Sequence, residues 1–68
     1  MIKISIASVP DREKVVAELW IKNYQLAEIS KEQEEVLVEF FCYPDIKWSE
    51  IPLLELIEKL QEANNKLS

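Results

Sequence analysis

Ile2, Ile4 and Ile6 alternate with Lys3, Ser5 and Ala7. β-Branched residues at a period of two predict a strand over 2–8, because successive side chains of a strand point to opposite faces. Val9-Pro10-Asp11-Arg12 predicts a turn: proline fixes φ, and the Asp11 carboxylate can bond nearby backbone.

Residues 11–29 admit two readings. As a helix capped by Asp11, DREKVVAELWIKNYQLAEI sets Val15, Val16, Leu19 and Leu26 on a rough stripe. As a hairpin, Val15, Ala17, Leu19 and Ile21 face one way and Val16, Glu18, Trp20 and Lys22 the other. Lys22-Asn23 then makes the turn, since asparagine tolerates a left-handed backbone. A helix would carry Trp20 and Ile21 beside Leu19, wrapping most of its circumference in apolar groups. The β-branched and aromatic content favours the hairpin.

Lys31 to Glu35 is a charged turn. Val36 to Tyr43 forms the clearest strand of the chain, ended by Pro44-Asp45. Ser49 to Ser68 predicts a helix with Pro52 in its first turn, where a missing N–H is no loss. Leu53, Leu56, Ile57, Leu60 and Leu67 recur on one side, while Glu55, Glu58, Lys59 and Glu62 stay on the wet side. The order ββββα gives a single α+β domain over 1–68, a four-stranded antiparallel meander with one C-terminal helix on one face. If 11–29 is helical, the order is βαββα or βαβα instead.

One helix covers one side of a sheet and leaves the other to solvent. The apolar rows Ile2/Ile4/Ile6, Val15/Ala17/Leu19/Ile21, Ala27/Ile29 and Val36/Val38/Phe40/Cys42 belong beneath the helix. The open rows are Val16/Glu18/Trp20, Tyr24/Leu26/Glu28 and Leu37/Glu39/Phe41/Tyr43, each mixing large apolar groups with one glutamate. Trp20, Tyr24, Phe41 and Tyr43 are thus expected to form a contiguous aromatic patch flecked by Glu18, Glu28 and Glu39. Monomers rarely expose such patches without a partner, and Trp and Tyr dominate binding hot spots. The plain alternatives are cover by the loop carrying Ile46 and Trp48, or burial in a homodimer. Trp48 is expected over the helix start at Ile51.

Composition narrows the partner. Thirteen acids against eight bases give a net charge of −5, and the bases are scattered singly. Phosphate backbones need clustered Lys and Arg, so nucleic acid is not the expected partner; an acidic surface favours cationic ones. No apolar run is long enough for a bilayer or a signal peptide, so a soluble cytoplasmic protein without membrane contact is expected. At 68 residues the chain can bury only about 60% of its unfolded surface, near the lower limit for folding alone.

Catalysis finds little to build on. The chain has no histidine for a general base and no glycine for a phosphate loop or nucleophile elbow. One cysteine allows neither an internal disulfide nor a CxxC metal pair, and Cys42 is expected as a buried thiol in its apolar row. Glu34-Glu35 reads as a solvated turn, and no calcium loop of the DxDxDG kind occurs. Neither an enzyme nor a cofactor or metal is expected.

The succession ISIASVPDRE, VVAELW, AEIS with Lys31-Glu32, LVEFF, Tyr43-Pro44-Asp45 and Trp48 before a Leu-rich helix resembles small bacterial immunity and antitoxin proteins across nearly the whole chain. Lys22-Asn23 and Lys31-Glu32-Gln33 stand where that pattern has glycine- or aspartate-rich turns. The resemblance implies an inhibitor that binds a basic, often RNA-cleaving, toxin and covers its active surface. Trp20, Tyr24, Phe41 and Tyr43 would then be anchors, with Glu18, Glu28 and Glu39 pairing with cations. The alternative is a small structural module that self-associates through the open sheet face. The helix acids Glu55, Glu58 and Glu62 are a third, lesser surface, since such glutamates are usually just solvated.

Overall fold

The structure, a computed structural model, describes residues 1–48 and 50–67. The two ends of the expected helix, Ser49 and Ser68, lie outside the described residues. Four strands run in chain order: β1 (Ile2–Ala7), β2 (Val16–Ile21), β3 (Tyr24–Ser30) and β4 (Leu37–Phe40). All neighbours pair antiparallel. A single helix, α1 (Leu53–Lys66), follows. Residues 11–29 are therefore the hairpin and not the helix.

The registers explain the core. Ile4 stands opposite Leu19 and Leu19 opposite Ala27, while Ile6, Ala17, Ile29 and Val38 line up across all four strands. These belong to one face of the sheet. Ile2, Ala17, Leu19, Ala27 and Ile29 are buried there against Ala63 of α1, with Leu56, Leu60 and Leu67 packed beside them. Complete burial of a residue such as Leu19 contributes about 1.5–3 kcal/mol.

The helix lies over half the sheet. Its contacts run chiefly to β1 and β2. The stripe facing them is Leu56, Leu60, Ala63 and Leu67, at steps of four, three and four. Leu53 and Ile57, expected on that stripe, are exposed. The fully buried Ala63 lets the helix approach closely, and the stripe that includes it leaves Leu53 and Ile57 outside the contact.

Further expectations fail: Val36, Val38 and Phe40 lie at β4, beyond the strands the helix chiefly contacts, and are exposed, as are Ile6 and Val15, whereas Val16 is buried. β4 stops at Phe40, so strand alternation no longer governs Cys42, which is exposed rather than buried. Within β3 the register shifts: Leu19 pairs with Ala27 but Trp20 pairs with Gln25, leaving Leu26 as the extra residue of a bulge. Leu26 is buried and joins the core, not the open row. Tyr24 now pairs with Ile21 and leaves the open face as well.

Candidate functional site

On the side of the sheet away from α1, the register sets Ser5 opposite Glu18, Glu18 opposite Glu28, and Glu28 opposite Glu39. Three carboxylates thus stand on three adjacent strands, about 5 Å from strand to strand. Like charges directly opposite one another destabilise a sheet. The fold answers this at one position only.

Arg12, the chain's single arginine, reaches Glu28 from the β1–β2 loop. Its Nε and Nη2 both donate to Glu28 Oε2, at 3.3 and 3.2 Å. The same loop is held a second time, because the Glu32 carboxylate accepts from the backbone N–H groups of Glu13 at 2.8 Å and Lys14 at 3.1 Å. The loop therefore reaches across to β3, where Arg12, Ser30 and Glu32 line one cleft. The Glu28 side chain keeps only 12% of its surface accessible. It is committed within the molecule, whereas Glu39 is exposed and Glu18 half-buried.

Trp20 stands two positions from Glu18, so both point to the same face. The indole Nε1–H donates to Glu18 Oε1 at 3.2 Å. This fixes the ring beside the Glu18 carboxylate and lowers the entropy it would lose on contact with a partner.

The other aromatics are elsewhere. Tyr24 and Tyr43 meet edge to face at 5.3 Å, and Tyr43 meets Trp48 in the same manner at 6.1 Å. The Tyr43 hydroxyl donates to the Gln25 carbonyl at 2.9 Å, and Trp48 Nε1–H donates to the Phe41 carbonyl at 2.8 Å. Trp48 packs against the core as expected. Together with Ile21, Ile46 and Ile51, Tyr24 and Trp48 line an apolar cleft of about 420 Å³. Phe41, half-buried, donates its N–H to the Leu26 carbonyl at 3.0 Å. The expected patch of Trp20, Tyr24, Phe41 and Tyr43 is thus divided: Trp20 stays with the glutamate row, and Tyr24 and Tyr43 join Trp48. The cause is the bulge at Leu26, which reverses the faces of Tyr24 and Gln25.

Sequence reasoning missed Arg12 and Glu32. The only available signal was that the single arginine sits in the turn before an acid-rich strand pair, and this does not specify a contact sixteen residues away. On the helix, Glu55 is tied to β1, since the Ile2 N–H donates to its Oε2 at 2.8 Å. That bond holds the carboxyl below its ordinary range, helped by the Met1 amino group 3.2 Å away. Glu62 faces Lys59 at 3.5 Å.

Among the described residues no Cys, Asp and Glu side chains cluster as a metal site, and no helix is long and apolar enough to cross a membrane. No protein-family model, curated protein or solved structure matches the chain.

Proposed function

We propose that this chain is a protein-binding inhibitor of the immunity or antitoxin kind, docking its open sheet face on a basic, RNA-cleaving toxin. The observation that carries the reading is the in-register row Glu18, Glu28, Glu39, of which Arg12 neutralises only the middle member. Aligned carboxylates cost the isolated sheet stability and return nothing to it. A cationic partner supplies the missing counter-charge. Glu18 and Glu39 are the pairing groups, Trp20 is the anchor between partner and sheet, and Glu28 holds the loop.

A nuclease presents positive charge to phosphates, and an acidic face of a chain with net charge −5 is attracted to that surface and speeds encounter with it. Self-association through this same face is disfavoured, since it would bring two acidic rows together.

The experiment is inhibition of RNA cleavage by purified basic toxin domains, each titrated with this chain. The wild type should inhibit with an affinity that falls as salt rises. The variant Glu18→Lys with Glu39→Lys should lose at least about a hundredfold, on the order of 1.4 kcal/mol or more for each reversed contact. No inhibition by the wild type, or equal inhibition by the variant, overturns the reading.

A further inference from the structure

The chain leaves one edge of its sheet unfinished. β4 is the last strand, and its apolar side chains are exposed on both faces, with Leu37 at 56%, Val38 at 47% and Phe40 at 52%. Val36, just before it, is also exposed. Long apolar edges invite pairing with another chain, and natural proteins usually blunt them with Lys or Pro. β1, the opposite edge, has Lys3, and its Ile2 N–H is taken by Glu55. β4 is short and carries Glu39, but it has neither Lys nor Pro.

The backbone pattern shows which groups are free. Phe41 N–H bonds the Leu26 carbonyl. Hydrogen-bonded residues alternate along an antiparallel strand, so Glu39 and Leu37 also turn toward β3. Val36, Val38 and Phe40 therefore direct their N–H and C=O groups away from the sheet.

We infer that β4 pairs antiparallel with β4 of a second copy of this chain, about a two-fold axis at Val38. That register sets Val38 against Val38 and Val36 against Phe40, joining the outward groups of all three through about six new backbone hydrogen bonds. On the helix side the cross-strand pairs are wholly apolar. On the open face Glu39 lies opposite Leu37 of the other copy. A shift of one residue in either strand would break the hydrogen-bond pattern, and a shift of two toward Phe40 would set the two Glu39 carboxylates directly opposite each other. A shift of two toward Val36 would set Glu39 opposite Glu35, so the edge complements itself in one register.

Surface area supports a copy of this size. A folded monomer of this mass is expected to expose about 4,450 Å², whereas this 8.0 kDa chain exposes 5180 Å². The excess of roughly 700 Å² approaches the ~800 Å² that one partner buries in a standard interface. Apart from Glu39, which stays on the open face, the strip is apolar, so it does not select a cationic partner. The interface leaves Glu18 and Trp20 free and does not depend on the inhibitor reading.

Sedimentation velocity at high micromolar concentration, paired with amide hydrogen exchange, tests the inference. The wild type should sediment as a dimer, with the Val38 and Phe40 amides protected and their protection lost on dilution. Val38→Pro removes an outward N–H without touching the β3 ladder, so it should give a folded monomer by circular dichroism. A wild-type monomer, an open-ended assembly, or a dimer whose Val38 and Phe40 amides exchange freely each overturns it. The exchange measurement decides the matter even if Val38→Pro fails to fold.

Discussion

The backbone N–H of Ile2 donates to the Glu55 carboxylate at 2.8 Å, joining the first strand to the first turn of the helix across 53 positions of chain. A carboxylate in that turn also complements the positive end of the helix dipole. Both effects favour the ionised form, and the Glu55 pKa lies below its ordinary value of 4.5. A depressed acid stabilises the fold above the unfolded-state pKa and loses that contribution as pH falls through the folded-state value. Resistance of the wild type to urea should therefore fall as the pH drops below about 4.5. Glu55→Gln should be less stable near neutrality and should show a shallower acid limb. An unchanged limb would assign the acid sensitivity to other carboxylates.

Arg12 and Glu28 couple a loop to a strand, and their removal should not be additive. Arg12→Ala leaves Glu28 uncompensated between Glu18 and Glu39, at an expected cost of about 1 kcal/mol after allowing for solvent around the partly exposed guanidinium. Glu28→Gln relieves the repulsion while losing the ion pair. The double variant should recover part of the Arg12→Ala loss. A double-mutant cycle by chemical denaturation reads the coupling directly, and zero coupling would mean the loop is held by Glu32 alone.

Packing should be unforgiving beneath the helix and tolerant beyond it. Leu19→Ala removes a fully buried side chain and should cost about 3 kcal/mol, a large share of the total for a domain this small. Ala63→Leu inserts three carbons where helix and sheet touch, and overpacking should cost about 1–3 kcal/mol. Leu54→Ser, on the exposed side of α1, should change stability by less than about 0.5 kcal/mol. Urea midpoints at one fixed protein concentration compare all three.

The first strand was legible because Ile2, Ile4 and Ile6 alternate with Lys3, Ser5 and Ala7, and the hairpin because Val15, Val16, Trp20 and Ile21 bring β-branched and aromatic content. The bulge was not, because the Tyr24-Gln25-Leu26-Ala27 stretch reads equally well as regular strand. The bulge shows only in the fold, where the adjacent Leu26 and Ala27 both join the core cluster with Ala63. That single residue moved Tyr24 from the acidic face to the Trp48 cluster. The glutamates were legible as a row because Glu18, Glu28 and Glu39 lie on the far side of the bulge from Tyr24, where alternation persists. The helix stripe was misjudged at Leu53 and Ile57 because periodicity weights large residues, whereas close approach selected Ala63.

Lys22 occupies the first position of the β2–β3 turn with φ at 56°, where asparagine was expected to take the left-handed conformation. Two-residue hairpin turns require positive φ at the first position to match the twist of the strands, and Ile21 paired with Tyr24 leaves only Lys22 and Asn23 to make it. A residue with a β-carbon held there is strained by about 1–2 kcal/mol relative to a right-handed backbone. Glycine removes the strain but adds freedom to the unfolded chain, returning about half of the gain. Lys22→Gly should therefore stabilise the protein by about 0.5–1 kcal/mol. Lys22→Asn should help by less, and Lys22→Val should destabilise, since β-branching worsens the clash. Thermal unfolding should rank the variants Gly, Asn, Lys, Val from most to least stable. If Lys22→Gly is no more stable than the wild type, the turn carries no strain and its geometry follows from the strand register alone.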